Sequence, residues 1–505
     1  MSKKTGLKLP RRLQMKATAV AKPQPVTAED SWVLGTEEEE SGDRWLASDL
    51  AKALRFYFRA YEHYRVALSK DDGYADALYN TARLLLHVHN QFVRQEGIIL
   101  DSLESVEAAR EVIQPLERIV EIHEHALSKC RARGVVPWEL VYNTAMAYSE
   151  LVEKLAEDEN NWRETLESGI KARDMFSAVL GIQREELKKL VDISATVATS
   201  EAASENLNNT NNEPSQADQG ENYMTEETVL PDTILETVTQ CYKLVGSVYE
   251  TTADPNRLSE SRLAFQSFSD QLDNLVAEVN ISFAPSLDLG EDQLIPRITT
   301  EALERLKLER LAMLCSQSTQ FEEISAIWMR EENTLADSAE KHMVYADCIQ
   351  TLMDKFDNIP DHFVWWTQLS TMLRQLQIAA GILTTELGNS KGKDIYSQMI
   401  SQLCAVIIAR ADIEKQRSQL ETSDAAKNRE LLLKNCTQLL KNAGNYASMS
   451  GGLREGMTDR LVREKRKREA ILRLCLLENK SLASLKLSEN DFQVEITELA
   501  KLSIY

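Results

Sequence analysis

The sequence predicts an all-α protein built as a stack of antiparallel helix pairs, and three observations carry that prediction. Glycine (18) and proline (11) are sparse in a chain of 505 residues, which leaves few of the turn-makers that many short strands need. Apolar residues recur at spacings of three and four, the period of one helical face. Two tetrapeptides occur twice: Ala67-Leu68-Ser69-Lys70 and Tyr79-Asn80-Thr81-Ala82, then Ala126-Leu127-Ser128-Lys129 and Tyr142-Asn143-Thr144-Ala145. Repetition at a period of about sixty residues marks stacked helical units, each burying its apolar face on its neighbours.

Taken in order, residues 1–42 read as a disordered tail, basic and then acidic. Its first 28 residues hold seven cations (Lys3, Lys4, Lys8, Arg11, Arg12, Lys16, Lys22) and no acid, and Glu37-Glu38-Glu39-Glu40 follows. Helical periodicity begins near Asp43, where Leu54, Tyr57, Phe58, Tyr61, Tyr64 and Leu68 form an aromatic-rich stripe. Asp71-Asp72-Gly73 is a helix stop and turn. Further helices are expected from Tyr74 into the nineties, from Ser105 to Cys130, from Trp138 to Glu157 and from Asn161 to Val191. Together they make an N-terminal array over 43–192.

An acidic, disordered linker is expected over 193–228. No Lys or Arg lies between Leu190 and Tyr242, whereas ten acidic side chains run from Asp192 to Glu236. Roughly half of the formal net charge of -21 therefore sits in about a tenth of the chain. From 229 to 505 a C-terminal helical array follows. Its breaks fall at Asp254-Pro255, Pro285 to Pro296, Asn358 to Asp361, Gly388 to Lys393 and Ser448 to Gly456. Phe363-Val364-Trp365-Trp366 opens one of its helices and reads as core.

The repeat resembles the tetratricopeptide family. Ala60, Tyr64, Ala67 and Leu68, then Asp71-Asp72, then Ala77 to Ala82, look like the second helix of one unit, a tight turn and the first helix of the next. Ala145 with Tyr148, Ala172 with Phe176 and Val179-Leu180, and Tyr242, Val245, Gly246 and Tyr249 repeat the pattern. Small residues let paired helices approach, and the aromatic fills the gap between pairs. The turn proline is absent, and the spacing exceeds the family's period of about 34 residues. The resemblance covers 45–250 and implies a right-handed solenoid whose concave face holds a protein, with Tyr79, Asn80, Tyr142 and Asn143 as groove candidates. Asn80 and Asn143 fall where some members of the family clamp a peptide carboxylate. Leu244 stands where that clamp needs an arginine, so the alternative is that both asparagines bond internally.

Catalytic chemistry has no constellation behind it. There is no Gly-rich phosphate loop, no Gly-x-Ser-x-Gly elbow and no His-Glu-x-x-His. His87 and His89, like His123 and His125, are two apart and point about 200° apart on a helix, so neither pair shares a metal; they read as solvent-facing or groove-lining. Seven scattered cysteines suggest reduced, buried thiols and a cytoplasmic or nuclear setting. No apolar run is long enough to span a membrane. No cofactor is expected.

Two basic segments remain. Lys3-Lys4 through Arg11-Arg12 fit a nuclear-import signal better than a presequence, because Pro10 interrupts the helix a presequence needs; a solvated tail fits as well. Arg463 with Lys465, Arg466, Lys467 and Arg468 reads as a solvated helix face, with a second import signal or a phosphate contact as the alternative. The functional expectation is a non-enzymatic scaffold, adaptor or dedicated chaperone for a basic protein client, of ribosomal-protein or histone type, in cytoplasm or nucleus. The acidic linker is either a spacer or an aid to capturing that client. The alternative expectation is an assembly factor that touches nucleic acid through its basic segments, with salt dependence as the discriminator.

Overall fold

The computed structural model describes residues 25–104, 106–204, 228–252, 254–283, 295–331, 334–356 and 358–502. Among these the chain is all-α, without a strand. Its helices are α1 (Ala28–Leu46), α2 (Leu50–Lys70), α3 (Ala75–Val88), α4 (Leu116–Arg133), α5 (Trp138–Ala156), α6 (Trp162–Ser204), α7 (Pro231–Glu250) and α8 (Pro255–Phe283). Then come α9 (Thr300–Ser316), α10 (Phe321–Glu331), α11 (Ala339–Asp354), α12 (His362–Asn389), α13 (Tyr396–Gln419), α14 (Ser423–Ala447), α15 (Met457–Leu477) and α16 (Gln493–Leu502). The turns expected at Asp71-Gly73, Asp254-Pro255, Asn358-Asp361, Gly388-Lys393 and Ser448-Gly456 all fall between helices.

The first correction is α1, which occupies residues 28–42 of the stretch read as a tail. Thr27 and Asp30 build its capping box: Asp30 N donates to Thr27 Oγ1 at 2.9 Å and Thr27 N to Asp30 Oδ2 at 2.8 Å. Gly35 and Gly42, seven apart, sit under the rings of Tyr64 and Tyr57 of α2, which are also seven apart; a Cβ at either glycine would overlap its ring. Glu39, only 5 % exposed, accepts from the Tyr64 hydroxyl at 2.7 Å and from the Arg83 guanidinium at 2.5 Å. The acidic run looked solvated because a charge run usually is. Here the aromatic stripe of α2 supplies hydroxyls that bury one of its carboxylates. The basic positions Lys3, Lys4, Arg11 and Arg12 lie outside the described residues.

The second correction concerns where the array divides. Successive odd-numbered helices from α3 to α11 pack on one another as a continuous layer, and α4, α6 and α10 each pack against both odd-numbered neighbours. One hydrophobic core runs from α2 to α9 and includes Phe176 of α6 with Val238 and Tyr242 of α7. A second core begins at Leu308 and Leu311 of α9 and continues to Ala470 of α15. The core therefore hands over within α9, and the segment 193–228 interrupts a stack whose flanking helices touch. Residues 193–204 of that segment continue α6.

The long repeat period has a local cause. The two Tyr-Asn-Thr-Ala segments lie in α3 and α5, at corresponding places one helix pair apart. Between α3 and α4 a π-helical turn (His89–Val93) and 3-10 turns occupy the chain up to Pro115. The helix expected from Ser105 accordingly starts at Leu116.

The third feature closes the stack. Met457 N donates to Ala47 O at 2.8 Å, and Met457 and Leu461 of α15 pack against the first core. Gly97, at φ +82°, lies so near α15 that a Cβ there would be 2.7 Å from the carbonyl carbon and oxygen of Leu461. The last long helix thus docks on the first helical hairpin and on the segment after α3.

Candidate protein-binding face

Four carboxylates, one from each of α5, α7, α9 and α11, gather along the odd-helix layer: Glu153, Glu309 and Asp347 each lie within electrostatic reach of Glu250. Water reaches Glu250 and Asp347, yet protein crowds them on several sides. Burial, reinforced by Glu153, Glu309 and Asp347 against the opposing Lys355, raises the Glu250 carboxyl to about 7. Burial raises Asp347 to about 6 and also raises Glu309 and Asp354. Carboxylates whose charged form is costly gain when a cation is placed beside them.

The cations nearby are already engaged. Lys355 Nζ donates to Tyr249 O at 3.1 Å and Ser316 O at 2.7 Å, at the carbonyl ends of α7 and α9; burial brings its pKa down to about 8. Lys243 lies 3.4 Å from Glu309. Arg94 pairs with Glu150 and Glu153. The layer has a second acidic notch, a cavity of about 330 Å³ between α7 and α9 lined by Asp232, Glu236 and Glu301 with Lys243 and Arg305.

The groove candidates land beside this face with mixed outcomes. Asn80 is buried on α3 and bonds to the Tyr64 side chain, so the internal role fits and a ligand clamp does not. Asn143 is half-buried on α5. Tyr142 meets Phe176 edge-on at 6.0 Å, and burial lifts its hydroxyl to about 12. Tyr79 is half-buried, with the Arg83 guanidinium 5.9 Å from its ring centroid. Leu244, the residue in the arginine position, is buried core.

The basic helix is corrected most sharply. Arg463 holds Glu455 through two bonds at 2.8 and 3.0 Å and donates to Ala447 O. Lys465, 7 % exposed, pairs with Glu498 at 3.0 Å and Glu96 at 3.6 Å. Arg466 takes Glu96 and Glu469, and Arg468 takes the buried Glu495 at 2.7 Å. Only Lys467 of the five stands exposed. This charge run is a structural joint, not a solvated face or a phosphate contact, because the acids that neutralise it come from three other parts of the chain.

The paired histidines divide: His125 is exposed as expected and His87 is half-buried, whereas His123 and His89 turn inward. His123 is fully buried with Nδ1 2.8 Å from Ile119 O, and burial pushes its pKa down to about 4; His89 is buried as well. All seven cysteines are buried and unbridged. Among the described residues there is no cluster of metal-ligand type, and no helix is long and apolar enough to cross a membrane. The sequence reading missed Glu250, Glu309 and Asp347. One signal was present: in α5 and α7 an acid follows one or two positions after the repeat aromatic, Tyr148 with Glu150 and Tyr249 with Glu250.

Fold and face together define a helical-array protein with an acid-lined layer. Residues 331–501 match the family model described as the YNL193W C-terminal domain. The chain is 21% identical over 525 aligned residues to the Saccharomyces cerevisiae "Uncharacterized protein YNL193W", covering 90% of this chain and 91% of that one. It is 32% identical over 137 residues to the Schizosaccharomyces pombe "UPF0656 protein C926.02", covering 27% of each. Among solved structures it is similar to a circular tandem repeat protein at 14% identity, over 90% of this chain and 86% of that one; the TM-score of 0.23 carries no argument about the fold.

Proposed function

We propose that this protein is a non-enzymatic scaffold or escort that holds a basic protein client against the odd-helix layer, in cytoplasm or nucleus. The observation that carries the reading is the gathering of carboxylates along the layer, where Glu250 of α7, Glu309 of α9 and Asp347 of α11 have ionised forms that are unfavourable without a cation and Glu153 of α5 adds its charge beside Glu250. Lysine or arginine side chains of a client relieve that cost, and each such charge-assisted contact contributes about 1.5–3 kcal/mol. A tetratricopeptide-like origin of the array is part of the proposal. Segment 89–115 supplies 27 of the 63 residues between Tyr79 and Tyr142 and leaves 36, near the family's unit of about 34. The nucleic-acid reading loses its better support, since Arg463, Lys465, Arg466 and Arg468 are already paired.

The test is capture of clients from nuclease-treated native extract by the full chain and by a Glu250→Gln, Glu309→Gln, Asp347→Asn variant. A fluorescent Lys/Arg-rich 20-residue peptide, read by anisotropy, serves as a defined probe. The expected result is stoichiometric basic partners, and a probe affinity at least about 30-fold weaker in the variant. Unchanged capture and unchanged probe affinity would remove the acidic face from the mechanism. A second chain lacking 193–228 separates the linker's contribution from that of the face.

A further inference from the structure

At the end of the acidic layer, α10, α11 and α12 enclose a cavity of about 620 Å³ with a different chemistry. One wall is the Trp328–Tyr345 stack, with ring centroids 4.8 Å apart and planes 20° from parallel. Trp366 also lines the cavity, with the Arg417 guanidinium 4.2 Å from its ring centroid. Lys341 and Arg374 supply positive charge, and no acidic residue lines the cavity. His342 is fixed between Gln375 Oε1 at 2.6 Å and Asp337 Oδ1 at 2.8 Å, so its ring does not swing into the space. Met329, 74 % exposed, and Ile378, 36 % exposed, form an apolar rim.

We infer that this cavity is a docking site for a short peptide motif of a partner protein: one large apolar or aromatic side chain flanked by one or two carboxylates. The aromatic walls and apolar rim take the anchor, as aromatic-lined pockets of such volume do. Arg374 is exposed and has no ion pair among the described residues, which leaves its guanidinium available to a carboxylate at the rim. The chain's net charge of -21 limits the motif. A strongly acidic partner is repelled by the rest of the surface, so the acids must be few and adjacent to the anchor. A cationic anchor is disfavoured by Lys341 and Arg374. The site shares α11 with the acid-lined layer but none of its four carboxylates, and it stands or falls independently of them.

The experiment titrates the full chain into a fluorescein-labelled, end-blocked peptide with one phenylalanine between an aspartate and a glutamate, followed by anisotropy. Saturable binding is expected, weakened at least about tenfold by Arg374→Glu or Met329→Glu. Phenylalanine-to-alanine and lysine-flanked peptides should bind more weakly still. Both protein substitutions are at exposed positions, and an unchanged far-ultraviolet circular dichroism spectrum and melting curve exclude misfolding. The Glu250→Gln, Glu309→Gln, Asp347→Asn variant should bind this peptide as the unaltered chain does. The inference is overturned if no saturable binding occurs up to about 1 mM, if Arg374→Glu and Met329→Glu leave affinity unchanged, or if adenosine monophosphate binds the cavity and the peptide does not.

Discussion

Replacing Gly97 by alanine should open the joint between α15 and the front of the chain. Alanine at φ +82° costs about 1 kcal/mol relative to glycine. The added Cβ would also lie 2.7 Å from the carbonyl carbon and oxygen of Leu461, backbone atoms that cannot rotate aside. Overpacking of that kind costs about 1–3 kcal/mol. Reduced freedom of the unfolded chain returns about 0.4–1 kcal/mol, which leaves a net loss of about 1–3.6 kcal/mol. A chain of 505 residues does not melt as one unit, so native-state hydrogen exchange is the appropriate assay. Amides of α15 and of residues 94–103 should exchange about 5- to 400-fold faster. Gly134→Ala is the control: it has φ +76° but nothing within 4 Å of an added Cβ, so it pays the backbone cost alone and should leave α15 protected. Unchanged protection of α15 in Gly97→Ala would refute the close docking of this helix.

Three further outcomes are expected. Glu39→Ala removes the acceptor of Tyr64 and the partner of Arg83; with Arg83 partly exposed the loss is about 2–3 kcal/mol, seen as faster exchange in α1 and no change in α13 or α14. Asp347 has a carboxyl raised from 3.8 to about 6, so its contribution to stability is full below about pH 4 and is lost as pH rises through 6. Asp347→Asn should therefore raise the melting temperature at pH 8 and converge with the unaltered chain by pH 4, and an increase that persisted at pH 4 would contradict burial as the cause. The seven buried thiols should resist a thiol-reactive dye in the native protein and all react in guanidinium chloride; rapid labelling of one in the native state would mark a helix that opens.

Legibility differed by the range of the interaction. The stripe Tyr57, Tyr61, Tyr64 announced α2 because the 3.6-residue period is local. Trp138–Ala156 fell at α5 within a residue because a proline precedes it and the repeat aromatic lies inside it. The helix α1 was hidden because Gly35 and Gly42 look like turn-makers and Glu37 to Glu40 like a solvated run. Their meaning depends on two tyrosine rings and an arginine 15 to 44 residues away. The same holds for the basic helix, whose Arg466 is neutralised by Glu96, 370 positions earlier.

By itself, the sequence determined that the chain is helical, that its units repeat, that its thiols are candidates for burial, and where most helices stop. These follow from backbone geometry and periodic apolar spacing, which act over a few residues. Only the tertiary structure decided that the stack runs on past the acidic segment, that α15 closes onto the first hairpin, and that acids from four helices gather along one layer. Charge has no period that reveals its partner: a carboxylate is solvated, buried or poised according to what the fold brings beside it.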